Sequence, residues 1–354
     1  MRVIVHGGAG GTPDEPEARQ AALDEAAATG AASPEPLDAV EAAVRVLESD
    51  ERFNAGVGGA VQADGVVRTD AGVMRSDRAV GAACSMPGVE HAVSVARIVM
   101  EATPHVLVSG VHAVDLAADM GVGTERELLT PETREEFEST DPPGNSPREQ
   151  LAWLQSRFGE GDDRAGERGS EVPPEPASEP GTGEGSASGS GYEIDTGHDI
   201  APGPGSGPGS ESDVDPESDS GSESDRNSAP DHDTVGAVAH DGETFAAATS
   251  TGGRSFALAG RVGDVPQVGS GFYCTPAGGA SATGAGEDIA RVTLSRRAVE
   301  LLEDGLDAQA AADRAIAEFE EVTGSGAGIV LLGESGAGSA FNTDGMQTSV
   351  AVDR

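Results

Sequence analysis

The sequence predicts an α+β or layered α/β protein whose two structured stretches are separated by a long unstructured insertion. Three observations carry that reading. Residues 1–137 alternate Ala-rich helical patterns with short runs of β-formers. Residues 159–229 are dominated by Gly, Pro, Ser, Asp and Glu. After Pro230 the pattern turns abruptly to a strand starting near Thr234, and the alternation resumes.

Taken in order, Val3-Ile4-Val5 reads as a strand that runs into Gly7-Gly8. Residues 17–31 and 36–49 read as helices. In the second, Leu37, Val40, Ala43, Val44 and Leu47 recur at helical spacing behind Pro36, a residue suited to a first helical turn. Residues 66–74 and 79–86 read as strands, 93–101 as a helix, 106–109 as extended and 111–120 as a helix. Short helices are expected at 130–137 and 146–158. From Gly159 the composition cannot bury enough apolar surface to offset chain ordering, so disorder is expected there. A hairpin through Asp241-Gly242 should join the strand at Thr234 to residues 245–251. Residues 288–302 and 308–321 read as helices, 282–286 as a helix N-terminal turn, and 329–332 and 339–341 as extended.

Charge narrows the class of function. Of 354 residues, 62 are acidic and 22 basic, every basic one being Arg, for a net charge of −40. Residues 131–230 hold 24 acidic and 6 basic side chains, so the other 254 residues still carry −22. Such a chain cannot displace counterions from nucleic-acid phosphates or dock on anionic lipid. Its repulsion falls away at molar salt, where the screening length is about 3 Å, so a salt-rich cytoplasm is the expected setting. No signal peptide is visible, and no window approaches the roughly 18 apolar residues of a membrane span. Cys84 and Cys274 are too few for a disulfide framework; buried thiols are expected, and a single bridge stays open. His91, His105, His112 and His240 lack metal-like spacing, which argues against catalytic zinc.

A long acidic insertion ending just before a threonine admits two accounts. It is a tolerated loop, since closure entropy grows slowly with length, or Asp233–Thr234 is a processing junction. Cleavage there would give Thr234 a free α-amine with a pKa of about 7.7–8.0, able to take the proton of its own hydroxyl.

The run 232–238 (HDTVGAV) and Ala248-Thr249-Ser250-Thr251-Gly252-Gly253 resemble the plant-type asparaginase/isoaspartyl peptidase family of N-terminal-nucleophile hydrolases. The likeness continues at 260–266 (GRVGDVP), 282–287 (ATGAGE) and 341–346 (FNTDGM), and in the first half at 5–10 (VHGGAG), 53–56 (FNAG) and 99–101 (VME). It covers roughly 1–135 and 231–354.

That resemblance implies a four-layer αββα sandwich, with a first half at 1–137, a linker at 138–233 and a second half at 234–354. It implies cleavage between Asp233 and Thr234, with Thr234 the nucleophile, Thr251 orienting it, and Thr283 with the Gly284 N–H forming an oxyanion hole. Arg261 would clamp a substrate α-carboxylate, Asp264 its α-ammonium, and Asn54 would assist the pocket. The pairing suits L-asparagine or a β-aspartyl peptide. No organic cofactor is implied. The carbonyls of Leu47, Glu48, Asp50, Phe53, Ala55 and Val57 match a loop that holds structural sodium. Relatives form a dimer of two-fragment units. His6 is expected to be a satisfied buried histidine. Glycosylasparaginase activity, or amino-acid binding without processing, are the competing functions. The insertion is longer than family linkers, and residues 255–259 depart from the pattern on the leaving-group side.

The charge reading predicts a melting temperature that climbs as KCl rises from low millimolar to molar, by about 2–4 °C for each kcal/mol of repulsion relieved. Melting that falls over that range would overturn it.

Overall fold

In a computed structural model, which describes residues 1–13, 15–144, 146–158 and 234–353, the N-terminal apolar run becomes β1 (Arg2–Gly10), buried along nearly its whole length. Its two neighbours come from the other half of the chain. They are β11 (Gly345–Val352) and β5 (Thr234–His240), both antiparallel to it. Beyond β5 lie β6 (Phe245–Thr251), β2 (Arg68–Arg75), β3 (Val80–Pro87) and the short β4 (Leu107–Ser109). The seven-stranded sheet runs β11-β1-β5-β6-β2-β3-β4. A second, antiparallel sheet orders β10 (Gly336–Phe341), β9 (Ala327–Gly333), β8 (Gly278–Gly284) and β7 (Phe272–Thr275).

Helices α1 (Pro16–Ala31), α2 (Pro36–Glu48), α3 (Ala92–Ala102) and α4 (Gly110–Asp119) cover the outer face of the large sheet. The periodic residues of α2, Leu37, Val40, Ala43, Val44 and Leu47, are buried with Val3, Val5, Val235 and Ala237 of the strands. Two further helices, α5 (Pro131–Thr140) and α6 (Pro147–Phe158), lie beyond these layers. Gln150 of α6 accepts from Ala259 N (3.4 Å), and Trp153 meets Phe256 edge-on with ring centres 6.0 Å apart.

On the far side α7 (Gly286–Val292), α8 (Leu294–Glu303) and α9 (Ala308–Thr323) pack on the small sheet through Ile289, Leu294, Val299, Ile316 and Phe319. Between the sheets lie Ile4, Met74, Val238, Phe245, Phe272 and Leu332. Three buried clusters thus separate four layers, the αββα sandwich that the resemblance implies. Each amphipathic helix buries its one apolar stripe, and each sheet is covered on both faces.

Several expectations are revised. The segment 282–284, read as a helix-opening turn, ends strand β8, and α7 starts at Gly286. Strand β8 is GGASATG, too poor in β-branched residues to announce itself; its small side chains let the sheets approach. A Cβ on Gly279 would lie 2.8 Å from Val238 Cγ1. The helix expected over 288–302 breaks at Thr293, which takes φ +53° between α7 and α8. Strands β7 and β11 were not anticipated. The disorder expected from 159 lies outside the described residues. Cys84 and Cys274 are both buried and unbridged. Among the described residues, no helix is long and apolar enough to cross a membrane.

The sheets approach closely at Gly236 and at Gly72. A Cβ on Gly236 would collide with Ser281 Oγ, and would stand 2.9 Å from Ala248 O. Gly236→Ala is expected to cost about 1–3 kcal/mol of stability, measured by urea unfolding. Gly11→Ala, where a Cβ meets nothing within 4 Å, should change it by less than about 0.5 kcal/mol.

Candidate active site

Antiparallel register assembles the site. Thr234, the first residue of β5, lies opposite Thr251, the last of β6, and Thr251 lies opposite Asp70 of β2. Directly opposed residues share a face. Gly236 and Gly72, two positions along from Thr234 and Asp70, face Ser281 and Phe272 of the small sheet. Thr234, Thr251 and Asp70 therefore form one row on the inner face, at one end of the sandwich. Thr234 is buried, with its Oγ1 3.4 Å from Thr251 Oγ1. Asp233 lies outside the described residues.

Asn54 braces the loop that follows Thr251. Its carbonyl accepts from Gly252 N (2.7 Å), its Nδ2 donates to Gly253 O (3.2 Å), and its Oδ1 accepts from Ala60 N (2.7 Å). Gly253 N in turn donates to Thr251 Oγ1 (3.2 Å). Thr283 is fully buried on β8, and its Oγ1 accepts from Ala9 N (3.2 Å), which leaves its own proton to donate. Gly284 has φ +129°, and a Cβ there would stand 2.6 Å from Gly326 O, so only glycine fits this end of the strand.

Arg261 and Asp264 come together across the Gly286 backbone. A Cβ on Gly286 would be 2.7 Å from Asp264 Oδ1 and 3.0 Å from Arg261 Nη2. Arg261 donates to Glu287 Oε1 at 2.8 Å, with Nε and Nη2 equally close. Glu287 thereby holds one edge of the guanidinium. Asp264 is buried, and its Oδ2 has no hydrogen-bond partner. Burial pushes the Asp264 carboxyl up to about 7 against the field of Arg261, and Glu287 and Asp70 push it the same way. Asp70 is also raised to about 7 by burial, opposed by the Ser85 N–H and by Arg261.

A buried polar chain runs close to Thr234. Thr249 Oγ1 donates to Gly271 O (2.9 Å), Ser281 Oγ lies 2.6 Å from Thr249 Oγ1, and His6 Nε2 lies 2.7 Å from Ser281 Oγ. Thr249 has spent its only proton, so Ser281 donates to Thr249 and the His6 ring donates from Nε2. Burial lowers the imidazole to about 3, so the ring is neutral. The expectation of a satisfied histidine holds only in part, because Nδ1 is buried without a hydrogen bond of ordinary geometry.

The loop after α2 closes on itself. Val57 N donates to Glu48 O (2.9 Å), Phe53 N to Asp50 O (3.0 Å) and Ala55 N to Phe53 O (2.9 Å). The buried Glu48 carboxylate accepts from Ser250 Oγ (2.6 Å) and Val93 N (2.9 Å), tying this loop to the strand residue beside Thr251. Among the described residues there is no group of three or more His, Cys, Asp or Glu side chains that could hold a metal.

The structure thus brings together Thr234, Thr251, Thr283, Gly284, Asn54, Arg261 and Asp264. It adds three features the sequence reading passed over. Glu287 closes the motif 282–287 and holds Arg261, Asp70 is the one acidic residue of β2, and Ser281 pairs with a histidine 275 positions away.

The architecture is that of an N-terminal-nucleophile hydrolase. The asparaginase family model matches residues 1–162 and 207–354, and the chain belongs to that family. It is 34% identical to a plant-type L-asparaginase of Pyrococcus furiosus, over 98% of this chain and 94% of that one. A plant-type L-asparaginase of Thermococcus kodakarensis is 32% identical, over 99% and 96%. An isoaspartyl peptidase/L-asparaginase of Rattus norvegicus is 30% identical, over 94% and 80%.

A carboxyl raised from 3.8 to about 7 by folding holds its proton longer in the folded state. It contributes stability that is full below the unfolded value and is lost as pH rises through about 7. Asp264→Asn should therefore gain melting temperature on wild type as pH climbs from about 5 to about 8.5. A difference that stays constant over this range would show that Asp264 does not titrate there.

Proposed function

We propose that the chain cuts itself between Asp233 and Thr234 and then hydrolyses the side-chain amide of L-asparagine, of β-aspartyl peptides, or of both. The observation that carries this reading is the row Thr234–Thr251 at the same end of the sandwich as Thr283, Arg261 and Asp264. A nucleophile, its hydroxyl neighbour, a donor for developing charge and a pair of opposite charges are the parts that amide hydrolysis of a zwitterionic substrate needs.

The freed α-amine of Thr234 takes the proton from Oγ1 as Oγ1 attacks the substrate's side-chain carbonyl carbon. The carbonyl oxygen becomes negative and is received by the Thr283 hydroxyl and the Gly284 N–H; one such donor can be worth about 3–4 kcal/mol. The C–N bond breaks, the leaving nitrogen takes the proton back from the Thr234 amine, and ammonia or a peptide amine departs. Water then adds to the ester, passing a proton to the same amine. The ester C–O bond breaks, the proton returns to Oγ1, and L-aspartate leaves.

Arg261, with one edge held by Glu287, offers its remaining donors to the α-carboxylate, and Asp264 meets the α-ammonium. An α-linked aspartyl residue has no free α-carboxylate and would leave Arg261 without its substrate partner, a large loss in a buried site.

Cleavage leaves the two fragments interleaved, since β1 of the first pairs with β5 and β11 of the second. We also place a structural sodium ion at the carbonyls of Leu47, Glu48, Asp50, Phe53, Ala55 and Val57, an all-oxygen donor set suited to a hard cation. Two such units are taken to pair, in a salt-rich cytoplasm.

Intact mass measurement should find two fragments in wild type, the second beginning at Thr234, and one chain in Thr234→Ala. Hydrolysis of L-asparagine and β-aspartyl dipeptides should fall at least about a thousandfold in that variant. Active protein that stays uncut, or release of aspartate from a GlcNAc-asparagine substrate alone, would overturn the proposal.

A further inference from the structure

Strand β3 departs from regular pairing where it faces the active-site row. Thr69 pairs with Met86 and Ala71 with Ala83, so Cys84 and Ser85 together oppose the single residue Asp70. This is a β-bulge, and Ser85 pays for it with a left-handed φ of +56°. The distortion aims the Ser85 N–H at Asp70 Oδ1, 2.6 Å away. The carboxylate it fixes is only 2% exposed. Bulges beside active sites commonly re-aim a side chain, and this one pins a charge where a strand would ordinarily bury an apolar residue.

Charge balance gives that carboxylate a purpose. Asp70, Asp264 and Glu287 gather around Arg261, and Glu287 already occupies one edge of the guanidinium. Arg254 stands 3.9 Å from Glu287 on its exposed side. One partly buried arginine therefore faces two buried carboxylates besides its own partner. Burial holds both carboxyls near 7 against the field of Arg261, and at Asp264 the neighbouring Glu287 and Asp70 add repulsion. A bound cation at that point relieves both.

We propose that Asp70 is a specificity-determining residue, which acts with Asp264 to select substrates carrying a free α-ammonium. The inference rests on the proposed function and deepens it. The row places Asp70 one strand beyond Thr251, and opposed positions on adjacent strands stand about 4.5–5.5 Å apart between Cβ atoms. A substrate carbon attacked by Thr234 thus has its α-ammonium within the field of both carboxylates. Asp264 alone would attract an ammonium. The second fixed carboxylate makes a ligand without one repulsive, and rejection of that kind is a specificity device in its own right.

The test is calorimetric binding of L-aspartate and of succinate, the same dicarboxylate without the amine, to cleaved wild-type protein and to Asp70→Asn. The asparagine side chain still accepts from Ser85 N–H, so the bulge stays satisfied while the charge goes. L-aspartate should bind at least about tenfold more weakly to the variant, the loss expected when a charged partner is removed. Succinate should bind as well as before or more tightly. Equal weakening of both ligands, or unchanged binding of L-aspartate, would overturn the inference while leaving the proposed function standing. Wild-type protein that binds neither ligand would overturn both. Should Asp70→Asn not accumulate as cleaved soluble protein, Asp70→Ser takes its place with the same readings.

Discussion

The whole site depends on one register. Thr234 meets Thr251, and Thr251 meets Asp70, because β5, β6 and β2 pair without a slip over their full overlap. A shift of one residue would send every one of these side chains to the helix-covered face, since the period of a strand is two. The register is defended from both sides. Toward the helices Val235, Ala237, Ala246, Ala248, Ala71 and Val73 are buried, and toward the small sheet Gly236 and Gly72 lie under Ser281 and Phe272. This alignment places apolar residues on the helix-covered face and glycines beneath the contacts on the other.

Against this rigid frame, the electrostatics are deliberately unbalanced. Exposed arginines of the protein pair in ordinary surface fashion, as Arg314 and Arg297 do with Glu318. Such pairs contribute little individually. The interior pairs differently: Asp264 keeps an oxygen without a partner, and His6 is held neutral at the end of a two-hydroxyl chain that terminates on a carbonyl. Buried polar groups that the fold leaves incompletely satisfied cost stability, and they concentrate where a ligand can complete them.

Motif and spacing singled out Thr234, Thr251, Arg261 and Asp264, because each lies in a short run with turn glycines around it. Periodicity carried α2, whose apolar residues repeat every three or four positions. What stayed hidden depends on pairing across long separations. Strand β8 is recognisable only once Val238 is seen to need glycine opposite it, and the role of Ser281 needs a histidine 275 residues away. Asp70 could have been noticed as a charge on the inward side of an apolar strand, but the bulge that fixes it leaves no mark in composition. The break at Thr293 inside an apparently continuous helical pattern is of the same kind.

Strand β1 has a consequence for how the molecule is made. It occupies the slot between β5 and β11, so each half, taken alone, would display unpaired strand edges along most of its length. Such edges invite association with other chains, and neither piece could be synthesised separately without that hazard. The continuous polypeptide is then a device for delivering both partners at equal dose and in the right place. On the proposed reading, a cut before Thr234 would then part a chain whose two halves already share one sheet.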